Sequence, residues 1–446
     1  MREAAMTTDT TARAPATSSA LIPMTIIGVL FFVFGFVTWL NGALIPFLKI
    51  VCELNEFQAL FVTFAFYIAY TVMALPAALV LRRTGYKTGM VIGLAVMAVG
   101  SLVFIPAAQS SHYVVFLLAL FILGTGLTLL QTAANPYIVC IGPRESAAMR
   151  MSIMGLLNKA AGVVAPVVFT LWVLTGMDQF DEDVLLALSA EARAERLAEL
   201  SNRLVVPYLY MAGALLALML FVQFSSLPEL NVDAESDDEA GDKLGILNHP
   251  QAILGAIALF MYVGVEVIAG DTIGLYGRRM DVAHFGSLTA YTMTFMVIGY
   301  VVGVLCIPRF LSQARALAGS AIFGVLFTVG VLTGSGDSDW IASVLFGWLG
   351  IPTVPNTVMF LALLGLANAL CWPAIWPLSL ADLGKYTSVG SALLIMGIAG
   401  GAVIPLLYGH FAETTSNQAA YWVMLPCYAY ILFYALKGHK LRHWKS

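Results

Sequence analysis

The chain has 446 residues, 60% of them hydrophobic and only 11% charged, with a mean hydropathy of +0.87. A soluble protein of this length would form two or three domains, and 22 basic plus 26 acidic residues are too few to cover their surfaces when about 25% charged content is usual. The formal net charge of -4 gives no sign of a nucleic-acid partner, and the composition fits a protein whose exterior faces a lipid bilayer.

In chain order, residues 1–21 are Thr/Ala-rich and polar and read as a disordered cytoplasmic tail. The apolar run that follows is longer than a signal-peptide core, so it is expected to remain as the first membrane helix. A spanning helix needs about 20 mostly apolar residues. Runs of that kind lie near 22–49, 57–81, 88–107, 112–140, 149–175, 205–226, 250–276, 286–308, 314–333, 356–382, 387–410 and 418–437, which predicts twelve helices, numbered 1 to 12 here. Residues 22–228 would hold the first six, including an outer-side amphipathic segment over 178–203 (LSAEARAERLAELSNR) whose charges read as a solvated face. Residues 229–249, with AESDDEAGDK, read as an acidic cytoplasmic linker; 250–437 would hold the second six, and 438–446 a cytoplasmic tail. With both termini cytoplasmic, fifteen Lys and Arg fall on that side and six on the other, with Lys159 inside helix 5. This bias is the one that the positive-inside rule requires.

The two halves resemble each other. After helix 4 comes NPYIVCIGPRESAAMRMSIMGLLNKAAGVVAP, and after helix 10 comes PAIWPLSLADLGKYTSVGSALLIMGIAGGAVIP. Ser152 and Ser391, Gly162 and Gly401, and Pro166 and Pro405 are each 239 residues apart. Six helices, a linker and six related helices resemble the plan of the major facilitator superfamily: an all-α membrane protein of twelve transmembrane helices in two pseudo-symmetric six-helix bundles, with a cavity near the midplane between them.

The signals for other classes are missing. No Walker loop points to ATP hydrolysis, and the histidines at 112, 249, 284, 410, 439 and 443 stand apart near helix ends. Cysteines at 52, 140, 306, 371 and 427 show neither a paired nor a metal-ligand pattern and read as free thiols. No metal, cofactor or catalytic group is expected. A multi-spanning receptor or membrane enzyme fits poorly with the repeat and the short loops, and a secondary transporter working as a monomer fits well.

Polar side chains at membrane depth are functional candidates because hydrocarbon penalises them. They are Asn41 on helix 1, Gln131 and Asn135 on helix 4, Asn158 and Lys159 on helix 5, Glu266 and Asp271 on helix 7, and Asn368 on helix 10 beside Trp372 and Trp376. Amides offer donors and acceptors matched to hydroxyls, and tryptophan offers a flat apolar face for a sugar ring. Asn368, Trp372 and Trp376 repeat at i, i+4 and i+8, as Gln131 and Asn135 do at i and i+4, which would place each set on one helix face. A small neutral sugar is therefore the expected cargo, although the same groups would also serve to hold helices together. Glu266, deep in helix 7, is a candidate to carry the coupling cation, a proton with sodium as the alternative; an ion pair is the other reading. Lys159 suits a gating or structural pair with an acid across the bundle, and Asp271 suits the border of an outer vestibule or a pair with Arg278.

FGFVTWLNGALIPFLK, FVTFAFYIAYTVMALPA, RRTGYKTGM, GTGLTLLQTAANPYI and LGKYTSVGSALLIMGIAGGAVIP resemble the fucose–galactose–glucose:proton symporter family, and bacterial glucose/galactose transporters within it. The resemblance implies proton-driven sugar uptake across the bacterial inner membrane by alternating access. By position, the family's sugar- and proton-linked glutamate on helix 4 falls on Gln131, and its helix 1 acid falls on Gly42. Asn158 matches the family's sugar-contacting asparagine. Both usual coupling acids are thus replaced. That argues against fucose as cargo, makes Glu266 the best-placed substitute, and leaves uniport as the alternative to symport. A similar cavity would also admit N-acetylglucosamine.

Overall fold

Twelve helices in the computed structural model are long and apolar enough to cross a bilayer. They are α1 (Ile22–Val51), α2 (Glu56–Thr84), α3 (Tyr86–Ser110), α4 (Tyr113–Asn135), α5 (Arg150–Val173), α6 (Ala190–Phe224), α7 (Pro250–Asp271), α8 (Phe285–Cys306), α9 (Gln313–Thr333), α10 (Asn356–Leu380), α11 (Val389–Thr414) and α12 (Asn417–Lys440). The structure describes residues 21–140, 147–180, 184–185, 187–228, 243–307 and 310–444, and no strand occurs among them. The expected N-terminal tail, most of the acidic linker, and Arg144 and Arg309 of the charge bias lie outside the described residues.

Packing within the two halves follows one pattern. In the first, α1 packs on α5, α2 on α4, and α3 on α4 and α6. In the second, α7 packs on α11, α8 on α10, and α9 on α10 and α12, so every pair is displaced by six helices. Between the halves, α5 meets α8 and α2 meets α11, which are again related pairs. The repeated glycines explain why these crossings can be close. A Cβ on Gly162 would stand 2.7 Å from Trp39 of α1 and 2.8 Å from Met293 of α8; one on Gly401 would stand 3.0 Å from Tyr67 of α2 and 3.1 Å from Val263 of α7. Small residues let membrane helices approach where no hydrophobic force draws them together.

Several spans are interrupted along their length. α1 breaks at Leu40, and α7 breaks at Thr272 and resumes as Ile273–Arg279. At the second break the Thr272 hydroxyl donates to the Ile268 carbonyl at 2.7 Å, a back-bond that bends helices. α10 breaks at Ala369–Leu370, because Pro373 has no N–H for the Ala369 carbonyl. α11 breaks at Ile398–Ala399, between Gly397 and Gly400. α7 is the most enclosed span, with 72% of its apolar window buried against 22% for α6, so α7 is central and α6 faces outward.

The amphipathic segment appears as a helix over Ala190–Asn202, capped by the Ser189 hydroxyl, which accepts from the Ala192 N–H at 3.3 Å. A second short helix, Trp340–Phe346, stands before α10 with Trp340 and Trp348 exposed, in keeping with tryptophan's preference for membrane interfaces. Cys52, Cys306, Cys371 and Cys427 are free thiols. Between α2 and α3, Gly85 makes the turn at φ 79°, and Lys87 donates to the Ser225 carbonyl at the end of α6 at 2.9 Å. This face, where α6 ends and α7 begins, is the linker face; the opposite one is the distal face.

Candidate functional site

A cavity between the halves is lined by Tyr70 of α2, Thr128, Gln131, Thr132 and Asn135 of α4, Trp372 and Trp376 of α10, and Ile395 and Ile398 of α11. The Gln/Asn pair and the Trp pair predicted from their spacing thus meet across the pseudo-two-fold axis. The two indoles lie 5.6 Å apart at 48°, and the buried Trp376 indole N–H has no partner. The Thr128 and Thr132 hydroxyls donate within their own helix, to Gly124 and Thr128 carbonyls, both at 2.7 Å. The amides of Gln131 and Asn135 and the Trp376 N–H are left as polar groups for a guest. The cavity holds about 10 Å³, room for one water at most, so a larger guest requires the halves to part.

A charged pair crosses the interface beside it. Lys159 Nζ of α5 lies 2.6 Å from Glu266 Oε1 of α7, with both side chains under a tenth exposed. The ammonium also sits 4.4 Å from the ring centroid of Trp39, a cation–π contact. Trp39 itself packs with Met293, Met296, Tyr300 and Ala369 in a small apolar cluster. Of the two sequence readings of Glu266, the ion pair is the one seen, and its partner is the acid-seeking lysine of helix 5.

Asp271 is completely buried rather than at the edge of a vestibule, and its contact is the Thr63 hydroxyl of α2, which donates to Oδ2 at 3.1 Å. Burial follows from the break at Thr272: α7 turns there, and Asp271 faces the other half. Arg278 lies instead over the Phe285 ring, 6.0 Å from its centroid. Asn41 is buried with its Nδ2 unpartnered. Its neighbour Gly42 is clamped, since a Cβ there would fall 2.1 Å from Thr289 Oγ1 and 2.8 Å from the Gly270 carbonyl. The space beside Gly42 is therefore filled by α7 and α8.

Two predicted residues stand elsewhere. Asn368 accepts a 2.8 Å hydrogen bond from the Tyr428 hydroxyl of α12 and is fully buried within its own half. The break at Ala369 and Leu370 separates it from the face that carries Trp372 and Trp376. Asn158 donates to the Phe31 carbonyl at 3.4 Å, linking α5 to α1.

The distal side is closed by a cluster that the sequence reading did not pick out. Glu56, at the start of α2 and only 3% exposed, accepts from Lys49 of α1 and, at 3.0 Å, from Arg279 at the end of α7. Nearby, the Phe57 N–H donates to Glu413 of α11 at 3.1 Å. The one sequence signal for Glu56 is its place after Asn55, which forms a capping box with Gln58. Thr63 and Trp39 carried no distinguishing signal beyond Trp39 standing two residues before Asn41. A larger recess of about 620 Å³ opens on the distal face between α5, α8 and the α9–α10 connection; none of the predicted residues lines it.

Residues 27–405 match the family model of the Major Facilitator Superfamily. The chain belongs to this superfamily. It is a multi-pass membrane transporter and not an enzyme, with the two-bundle fold expected of that superfamily. It is 34% identical over 430 residues to a glucose/galactose transporter of Brucella abortus, covering 94% of each chain. It is 26% identical over 426 residues to the L-fucose-proton symporter of Escherichia coli, covering 94% of this chain and 93% of that one. The crystal structure of the E. coli fucose:proton symporter matches the fold with a TM-score of 0.70 at 24% identity, over 94% of this chain and 98% of that one. These relatives carry the resemblance to the fucose–galactose–glucose:proton symporter family.

Proposed function

We propose that this transporter imports a neutral hexose of the glucose or galactose type across the bacterial inner membrane, by alternating access and coupled to protons. The observation that carries this reading is the cavity in which Gln131 and Asn135 of one half face Trp372 and Trp376 of the other. A hexose presents hydroxyls around its rim and C–H groups on its faces. The amides suit the rim, and the indoles suit a face while Trp376 offers one N–H. Because the groups come from both halves, bound sugar would favour the state in which the halves have closed on it, which is differential binding of the kind that drives a conformational cycle. Relatives named for glucose/galactose and for fucose with a proton support the cargo class and the ion.

Lys159 and Glu266 act in this reading as a clasp at the midplane. The pair joins α5 of one half to α7 of the other, so separation of those helices must break it. The linker face is taken as cytoplasmic, from the 15-to-6 distribution of Lys and Arg, so the closed distal side faces outward.

Uptake of labelled glucose in a host lacking its own hexose carriers tests the proposal, with unlabelled glucose, galactose, fucose and N-acetylglucosamine as competitors. Glucose or galactose should compete, uptake should collapse with a protonophore, and Trp372→Ala should raise KM. Uptake displaced only by N-acetylglucosamine or fucose would overturn the cargo assignment. Uptake indifferent to the protonophore would overturn the coupling.

A further inference from the structure

We infer that Asp271, rather than Glu266, takes up the coupling proton, and that its protonation permits the distal side to close. This deepens the proposed proton-linked transport and rests on it. The two carboxylates of α7 have opposite surroundings. Glu266 has an ammonium at 2.6 Å to balance its charge. Asp271 is fully buried and has one neutral donor, Thr63; its Oδ1 has no partner. One hydroxyl does not offset the burial of an ion.

Among the described residues, the groups packed around Asp271 supply no cation. α2 brings Thr63 and Tyr67, and Tyr67 stands in electrostatic range of both Asp271 and Glu266. α1 brings Trp39 against Gly270. α8 brings the Thr289 and Thr292 hydroxyls, which donate to the Gly270 and Ala269 carbonyls at 2.7 and 3.1 Å. From α12, Tyr421 meets Thr272 at 3.0 Å, and Tyr408 of α11 packs on Tyr421. The neighbouring cations are engaged elsewhere, Lys159 with Glu266 and both Lys49 and Arg279 with Glu56.

The same hydroxyls argue for a proton over sodium. Broken helices bind sodium through freed carbonyls, yet the carbonyls of Ile268, Ala269 and Gly270 all accept from threonine hydroxyls. What remains is one carboxylate oxygen without a partner, which suits a proton.

The location gives the coupling its order. Asp271 stands eight residues before Arg279, the distal end of the short helix that continues α7, and Thr63 seven from the start of α2, or roughly 10–12 Å beneath that face at 1.5 Å per residue. While the halves are apart there, water can reach the carboxylate and it can ionise. To seal against Thr63 it must first become neutral, so a proton from the distal side enters together with the sugar and leaves once the linker side opens.

Proteoliposomes holding the wild type, Asp271→Asn and the neutralised pair Lys159→Met/Glu266→Gln test the assignment, each assayed for glucose counterflow and for accumulation driven by an imposed pH gradient. With one proton per sugar, a one-unit gradient should sustain about tenfold accumulation by the wild type. Asp271→Asn, fixed in the neutral form, should keep counterflow but accumulate no sugar, and its counterflow should lose the pH dependence seen in the wild type. The neutralised pair should still accumulate. Gradient-driven accumulation by Asp271→Asn overturns the proposal, as does a neutralised pair that exchanges but no longer accumulates. If Asp271→Asn folds poorly and loses exchange, the neutralised pair decides: retained accumulation supports Asp271 and lost accumulation refutes it. Wild type that exchanges glucose without accumulating it refutes proton coupling altogether while leaving the cargo intact, and wild type that exchanges no hexose refutes the cargo.

Discussion

Replacing Lys159 with Met would leave Glu266 as a buried carboxylate without its ammonium. Both side chains are under a tenth exposed and stand 2.6 Å apart, so the penalty belongs to the buried class, about 3–5 kcal/mol for removing one partner. The protein can escape part of this by parting α5 from α7, which lets water reach Glu266. The expected outcome is therefore a shift of the closed–open equilibrium by a factor on the order of 10² for 3 kcal/mol, along with a lower melting temperature. The double replacement Lys159→Met/Glu266→Gln removes both charges and should restore stability to near the wild type, because buried pairs are often replaceable by neutral groups at little cost. Spin labels on the distal ends of α2 and α7 would follow the opening, and thermal unfolding in detergent would follow stability. Single and double variants with the same stability and the same distance distribution would refute the clasp.

Further outcomes follow from particular contacts. Gly42→Asp puts a side chain 2.1 Å from Thr289 Oγ1; counterflow should be lost, and Thr289→Ala should recover part of it. Trp372→Ala should raise the KM for hexose about 2- to 12-fold, for an aromatic contact of about 0.5–1.5 kcal/mol. Asn368→Ala, which strands the Tyr428 hydroxyl, should instead cost about 1–3 kcal/mol of stability with KM nearly unchanged, as a melting curve and uptake kinetics together would reveal. Glu56→Gln should weaken the distal seal; Arg279→Ala should do so less, because Arg279 is 54% exposed and exposed pairs contribute roughly 0–1 kcal/mol. Labelling of distal cysteines would rank the two, and equal effects would contradict the burial argument.

The helices were legible from sequence because bilayer thickness sets a length that few apolar segments reach by chance. The glycines 239 residues apart marked the internal repeat, and the structure places Gly162 and Gly401 at related helix crossings. The meeting of Gln131 and Asn135 with Trp372 and Trp376 followed from the repeat, since related helices face the same axis. Asn368 escaped the helical-spacing argument because that argument assumes an unbroken helix, and the Pro373 break rotates the chain between Asn368 and Trp372.

The sequence alone therefore determined the membrane architecture, the internal duplication and the polar set near the midplane. All of these depend on composition and periodicity, which are local properties of the chain. Tertiary structure alone decided which acid has a partner. Lys159 lies 107 residues from Glu266 and Thr63 lies 208 from Asp271, and no periodicity spans such distances. The charge state of a buried carboxylate depends on what the rest of the fold brings within a few ångströms of it, and only the folded chain assigns an ammonium to one acid and a single hydroxyl to the other.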